Sequence, residues 1–178
     1  MPPRPSIAAA LLGLAFLAPF AQAEAPAVQS VSQIDLTRYA GKWYEIAAFP
    51  MFFQRNCSAD TTAEYTLRAD GELTVDNRCR TATGSDQAIG RAWAVAGAGP
   101  GQLKVSFFWP FRSDYWVIGL DADYRWAVVG NPNRKYLWIL SRTPQLPAAE
   151  LERARQAASA QGYDLGQLKT TRQTETAP

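Results

Sequence analysis

The stretch Tyr115-Trp116-Val117-Ile118-Gly119-Leu120-Asp121-Ala122-Asp123-Tyr124-Arg125-Trp126-Ala127-Val128-Val129-Gly130 decides the fold. It reads as strand, turn, strand. Tyr115 to Leu120 and Trp126 to Gly130 are rich in aromatic and β-branched residues, and Asp121-Ala122-Asp123-Tyr124 supplies the turn between them. Tyr115 to Leu120 is apolar at both parities. In a sheet, successive side chains point to opposite faces, so neither face of this strand is an ordinary polar surface.

The same grammar extends outward in both directions. Lys42 to Phe49 is a first strand and Thr61 to Leu67 a second, with polar Thr62, Glu64 and Thr66 alternating against Ala63, Tyr65 and Leu67. Arg68-Ala69-Asp70-Gly71 is a turn with glycine placed for a positive φ. Glu72 to Cys79 pairs back as the third strand, Ile89 to Ala96 is the fourth and Gln102 to Phe108 the fifth, with the loop Gly97-Ala98-Gly99-Pro100-Gly101 before the last. Tyr136 to Ser141 follows the quoted hairpin as the eighth. Eight short strands at near-regular spacing suggest a closed barrel or a sandwich. In a barrel, one face lines the lumen and the other is covered or half-exposed; aromatics that merely fill a core read equally well from periodicity alone. After Thr143-Pro144 the pattern turns helical. Pro147 suits a first helical position, Glu150 and Glu152 the first turn, and Gly162 a stop. Leu151, Ala154, Ala158 and Tyr163 form one narrow stripe that should lie against the sheet.

The 178 residues suffice for one domain plus processed segments. Arg4, the apolar run Ile7 to Phe20 and Ala21-Gln22-Ala23 have the pattern of a secretory signal peptide over residues 1–23, cleaved after Ala23. Such a run is short for a hydrocarbon core of about 30 Å. Export, and so a periplasmic location with or without outer-membrane association, is the expectation. No cysteine stands at the cleavage site for lipidation. The formal charge of +2 is too weak to argue for nucleic acid. The chain has no histidine, which excludes Ser-His-Asp triads, Cys-His pairs and His-ligated zinc or iron. Cys57 and Cys79, the only cysteines, cannot form a Cys₄ metal site and in an exported protein read first as one disulfide. Neither a metal nor a cofactor is expected.

Gly41-Lys42-Trp43-Tyr44-Glu45 resembles the first signature of the lipocalin family, Gly-x-Trp-(Tyr/Phe)-Glu, and Tyr136-Leu137-Trp138-Ile139-Leu140-Ser141-Arg142 resembles its last, where an arginine ends the eighth strand. Leu120-Asp121-Ala122-Asp123-Tyr124 matches the middle signature only loosely. Lys104-Val105-Ser106-Phe107-Phe108 and Trp138 to Pro144 are similar to the bacterial lipocalin and apolipoprotein D-like branch. The resemblance implies an all-β fold: an eight-stranded antiparallel up-and-down barrel with a C-terminal α-helix packed outside. The domain is expected over 35–173, with the barrel at about 41–142 and the helix at about 147–161. Residues 24–34 are read as a leader, loose from Glu24 to Ser30, and 174–178 as a tail, with fraying expected from Thr170 onward. Gly41, Trp43 and Arg142 are the structural signature, with Trp43 plugging the closed end and the Arg142 guanidinium on its ring.

If Trp43 marks the closed end, the loops 50–60, 80–88, 109–114 and 131–135 form the mouth. They carry Met51, Phe52, Phe53, Trp109 and Phe111, together with Arg55, Arg80, Arg112, Arg134 and Lys135 against Asp60, Asp86 and Asp114. Phe52, Phe53, Arg55, Trp109 and Arg112 are the candidate rim, suited to an anionic head group. Tyr65, Phe107, Tyr115, Val117, Trp138 and Leu140 are the candidate lumen residues, on strand parities where a one-residue slip would reverse a whole set. Both cysteines fall near this end. The resemblance implies a non-enzymatic carrier of a lipid-like apolar ligand, a fatty acid or lysophospholipid, in the bacterial envelope. Two alternatives accompany that reading. One is a lipid-modifying enzyme using Glu45, Glu64 or Tyr115; the other is a membrane or protein interaction module, including a homodimer through the apolar rim.

Overall fold

The computed structural model describes residues 26–174. Eight antiparallel strands follow in chain order: β1 Gly41–Ala48, β2 Ala59–Leu67, β3 Leu73–Arg80, β4 Ser85–Ala94, β5 Gln102–Phe108, β6 Phe111–Leu120, β7 Trp126–Gly130 and β8 Leu137–Ser141. Each pairs with its neighbour in sequence, β8 pairs with β1, and β1 closes on β2 from Gly41↔Tyr65 to Tyr44↔Thr62. This is a closed up-and-down barrel. α1 (Leu36–Tyr39) lies beneath one end, capped by Asp35, whose carboxylate accepts from the Thr37 and Arg38 amides. α2 (Ala148–Ala160) packs outside, and a short β9 (Lys169–Thr170) adds to β1 beyond its contact with β2.

Strands that are apolar at both parities have two separate cores to fill. Tyr115 and Val117 point inward with Trp43, Tyr65, Leu73, Val75, Leu103, Ala127, Val129 and Leu140. Their neighbours Trp116 and Ile118 point outward to Val128, Ile139, Ala154, Ala158 and Tyr163 under α2. The helix approaches closely because two strand positions lack side chains. A Cβ on Gly130 would lie 2.1 Å from the Tyr163 hydroxyl, and one on Gly119 2.9 Å from Ala157 Cβ. Tyr163 thereby reaches the backbone of Asn131, accepting from its N–H and donating to its C=O.

Several boundaries differ from the sequence reading. β4 begins at Ser85 and β6 at Phe111, four residues before the apolar patterning starts at Ile89 and Tyr115. These extensions carry Asp86, Gln87, Arg112, Ser113 and Asp114 at an end where both strand faces are wet, so hydrophobic alternation does not mark them. The leader is not loose where it is described. Val28 is buried under α2, the Val31 amide donates to Val117 O, and Arg134 holds Pro26 O. Nor does the chain fray at Thr170: the Thr171 amide donates to Ile46 O and Thr174 binds the Asp60 carboxylate. Tail residues 175–178 and the expected signal peptide, 1–23, lie outside the described residues.

Candidate functional site

The barrel has a floor, a wall and a mouth. At the floor the Arg142 guanidinium lies 3.8 Å over the Trp43 ring. It donates to the carbonyls of Arg38, Tyr39, Lys42 and Tyr124, while Trp43 Nε1 donates to Tyr39 O. Gly41, at φ 96°, passes with its missing Cβ 3.3 Å from Arg142 Nη1. The adjoining turn is set by Asp121, whose carboxylate accepts from the Arg125 side chain and from the amides of Asp123 and Arg125. The Arg125 hydrogen bonds hold that carboxyl below the usual range despite partial burial. The Arg38 guanidinium stacks 4.1 Å from the Tyr124 ring, completing the seal.

Just above the plug stand three buried phenols. Tyr115 OH is 2.7 Å from Tyr39 OH and 2.8 Å from Tyr65 OH. Burial pushes the Tyr65 hydroxyl up to about 12 and the other two well above their ordinary value, so all three stay protonated at neutral pH. From here the inner wall grades toward the mouth. Tyr65, Tyr115, Val117 and Leu140 are buried, Trp138 and Val105 are partly exposed, and Ala88 and Ser113, at inner-face positions by alternation with Ala92 and Tyr115, are exposed. Of the six candidate lumen residues the fold therefore brings five together. Phe107 stands apart at 42% exposure. A register shift in β5 between Val105 and Phe108 turns it, and its ring crosses where a Gly90 side chain would lie.

The mouth is apolar and exposed. Phe52, Phe53, Phe108, Trp109 and Phe111 are exposed there, with Phe108 and Phe111 stacked across the β5–β6 connection. Of the basic residues, Arg80 is taken up by Asp60 and Thr174, and Arg134 by Gln161 O and Pro26 O. These two are tied into the fold. Arg55 and Arg112 are exposed, with no ion-pair or hydrogen-bond partner among the described residues. Cys57 and Cys79 are joined, Cα–Cα 5.5 Å, tying the loop after β1 to the end of β3.

Glu45 lies where β1 parts from β2. Its carboxylate is buried, accepting from Gln54 Nε2 at 2.9 Å and from Thr171 Oγ1; Gln54 Oε1 in turn accepts from Trp138 Nε1. Burial pushes the Glu45 carboxyl above its ordinary value of 4.5. Its contribution to stability is thus present below pH 4.5 and lost as pH rises through the raised value. Thermal unfolding should show wild type losing ground to Glu45→Gln as pH rises from 4.5 towards neutrality, a range free of histidine titration in this chain. A constant difference between the two proteins over that range would refute the assignment. Glu64 is exposed and paired in register with Lys42, and Tyr115 lies at the floor, so the three candidate catalytic groups do not converge. Gln54, Tyr39 and Thr171 escaped the sequence reading; only Tyr39 carried a signal, the capped turn begun by Asp35.

There are also two open grooves of about 510 and 470 Å³. One runs over β3–β5 between Ile89, Arg91 and Trp109; the other lies between Met51, Gln54 and Lys169.

A family model described as a lipocalin-like domain matches residues 34–173. Temperature-induced lipocalin-1 of Arabidopsis thaliana is 38% identical over 159 residues, covering 85% of this chain and 86% of the plant protein. The outer membrane lipoprotein Blc of Vibrio cholerae is 41% identical over 144 residues, covering 79% and 84%. Apolipoprotein D of Macaca fascicularis is 31% identical over 156 residues, covering 83% and 80%. Among solved structures, insecticyanin from the tobacco hornworm Manduca sexta superposes with a TM-score of 0.69 at 22% identity, covering 86% of this chain and 88% of that one, which bears on the fold alone. Lipocalins bind small hydrophobic ligands and are in general carriers, not enzymes. A sealed floor under an inward-facing apolar wall, and the match over 34–173, place this chain in the lipocalin family, in the branch of bacterial Blc and apolipoprotein D.

Proposed function

We propose that the protein binds and carries a fatty acid or lysophospholipid in its lumen, without chemical turnover, after export to the periplasm. The observation that carries this reading is the gradient along the inner face, from sealed at Trp43 through Tyr65, Tyr115, Val117 and Leu140 to open at Trp138. An acyl chain in such a cup buries apolar surface at about 25 cal/mol per Å². Arg55 and Arg112 stand at the rim to meet a carboxylate or phosphate. The exposed aromatics around them form the face that meets a lipid surface during loading, and a homodimer formed through this rim would compete with that role. The disulfide and the relatives named as outer membrane lipoproteins support an envelope location, and among the described residues no helix is long and apolar enough to cross a membrane.

Native mass spectrometry of the purified protein tests this. A co-purified lipid mass that added hexadecanoate displaces one for one supports the proposal. A barrel that takes up neither hexadecanoate nor its lysophosphatidylcholine at micromolar concentration sinks it.

A further inference from the structure

The three phenols at the floor do not satisfy one another. Tyr39, Tyr65 and Tyr115 carry three hydroxyl protons, and their hydroxyls are joined by two hydrogen bonds, both through Tyr115. Whichever way the bonds run, one proton remains without an acceptor among the described residues. All three side chains are buried, at 0%, 4% and 8% exposure, where an unmade hydrogen bond is costly. A second polar group of the same kind sits nearby. Asn77 pairs with Ala63 on the inner face, one step toward the mouth from the Val75↔Tyr65 pair, or about 7 Å along the strand. Its Oδ1 is shielded from solvent and has no hydrogen-bond partner. The inner-face positions paired with it, Ala63 and Ala88, bear only small side chains. The inner face therefore carries one spare donor at the floor and one spare acceptor a step above it.

We propose that the lumen selects apolar ligands bearing a hydroxyl at the end that enters first, accepting from the Tyr39–Tyr65–Tyr115 cluster and donating toward Asn77. An alcohol is the function that uses both groups, whereas a carbonyl uses only the donor and a methyl neither. Since the phenols remain neutral, the site offers no charge to a carboxylate, which stays at the rim with Arg55 and Arg112. The inference rests on the lumen being the ligand site.

The test compares hexadecanoic acid with 16-hydroxyhexadecanoic acid by displacement of a fluorescent fatty acid, in wild type, Tyr115→Phe and Asn77→Leu. One good hydrogen bond corresponds to about a three- to tenfold preference. Wild type should bind the hydroxy acid tighter by that factor. Tyr115→Phe, which removes both hydrogen bonds of the cluster and leaves the Tyr39 and Tyr65 protons both spare, should keep or widen that preference. Asn77→Leu, at a partly exposed position, removes the spare acceptor and should bring the two acids to within about twofold, whether or not Tyr115→Phe folds. Binding of both acids with equal affinity by wild type overturns this inference, assigning the spare proton to a buried water, and leaves lipid carriage intact. Failure of wild type to bind either acid overturns both.

Discussion

Arg142→Ala should lower the free energy of unfolding by about 3–5 kcal/mol, while the affinity of the folded protein for hexadecanoate changes by less than about twofold. The asymmetry follows from where the guanidinium sits. It covers the outer side of Trp43 at 3.8 Å and gathers carbonyls from Arg38, Tyr39, Lys42 and Tyr124. The ring contact is worth about 0.5–2 kcal/mol. Each carbonyl left short of a donor in this half-buried place adds to the loss. The side chain binds α1, the start of β1 and the β6–β7 turn into one plate, yet Trp43 stands between it and the lumen. Arg142→Lys should recover little, because an ammonium cannot fan out to four carbonyls and lie flat on an indole as a planar fork does. Denaturant unfolding and ligand titration on the same preparations separate the two effects. A large affinity loss with little change in stability would mean that the floor is part of the ligand site.

Removing the Cys57–Cys79 bridge should cost about 3 kcal/mol on loop-closure entropy, lowering Tm by roughly 6–12 °C. The bond spans 22 positions of sequence and fastens the segment carrying Phe52, Phe53 and Arg55 to the end of β3. The effect should therefore be local as well as global. With Cys57→Ser and Cys79→Ala combined, amide exchange should quicken through residues 50–58, whereas the amides of Trp43 and Val117 at the floor keep their relative protection. Cys79 is buried, so alanine is the fitting replacement there. An unchanged Tm, or faster exchange at the floor alone, would contradict this division between a braced mouth and an independent base.

The sequence made the barrel legible where apolar alternation and turn chemistry coincide. Gly71 does adopt the positive φ that its turn needs, and Gln102–Phe108 and Trp126–Gly130 begin and end where their patterning does. The doubly apolar strands separate into an inner core and an outer one beneath α2, which alternation alone left open against a filled interior. What stayed hidden was recorded in polar residues whose partners are remote. Thr171 and Gln54 meet on Glu45 across 126 and 9 positions of sequence, and no hydrophobic period marks either contact. Arg80 and Arg134 looked like rim charges because a loop arginine's partner cannot be read from its neighbours in sequence; Asp60 and the α2 C-terminus supply those partners. Phe107 was misplaced by a register irregularity, which flips a side chain without changing composition.

The central claim is that an acyl ligand lies inside the barrel, and a crystal structure of the complex with hexadecanoate tests it most directly. The account predicts chain density running from Trp138 down to the Tyr65–Tyr115 pair, with the carboxylate at the mouth near Arg55 or Arg112. Density confined to the groove at Ile89 and Trp109, or to the groove between Met51 and Lys169, would contradict it.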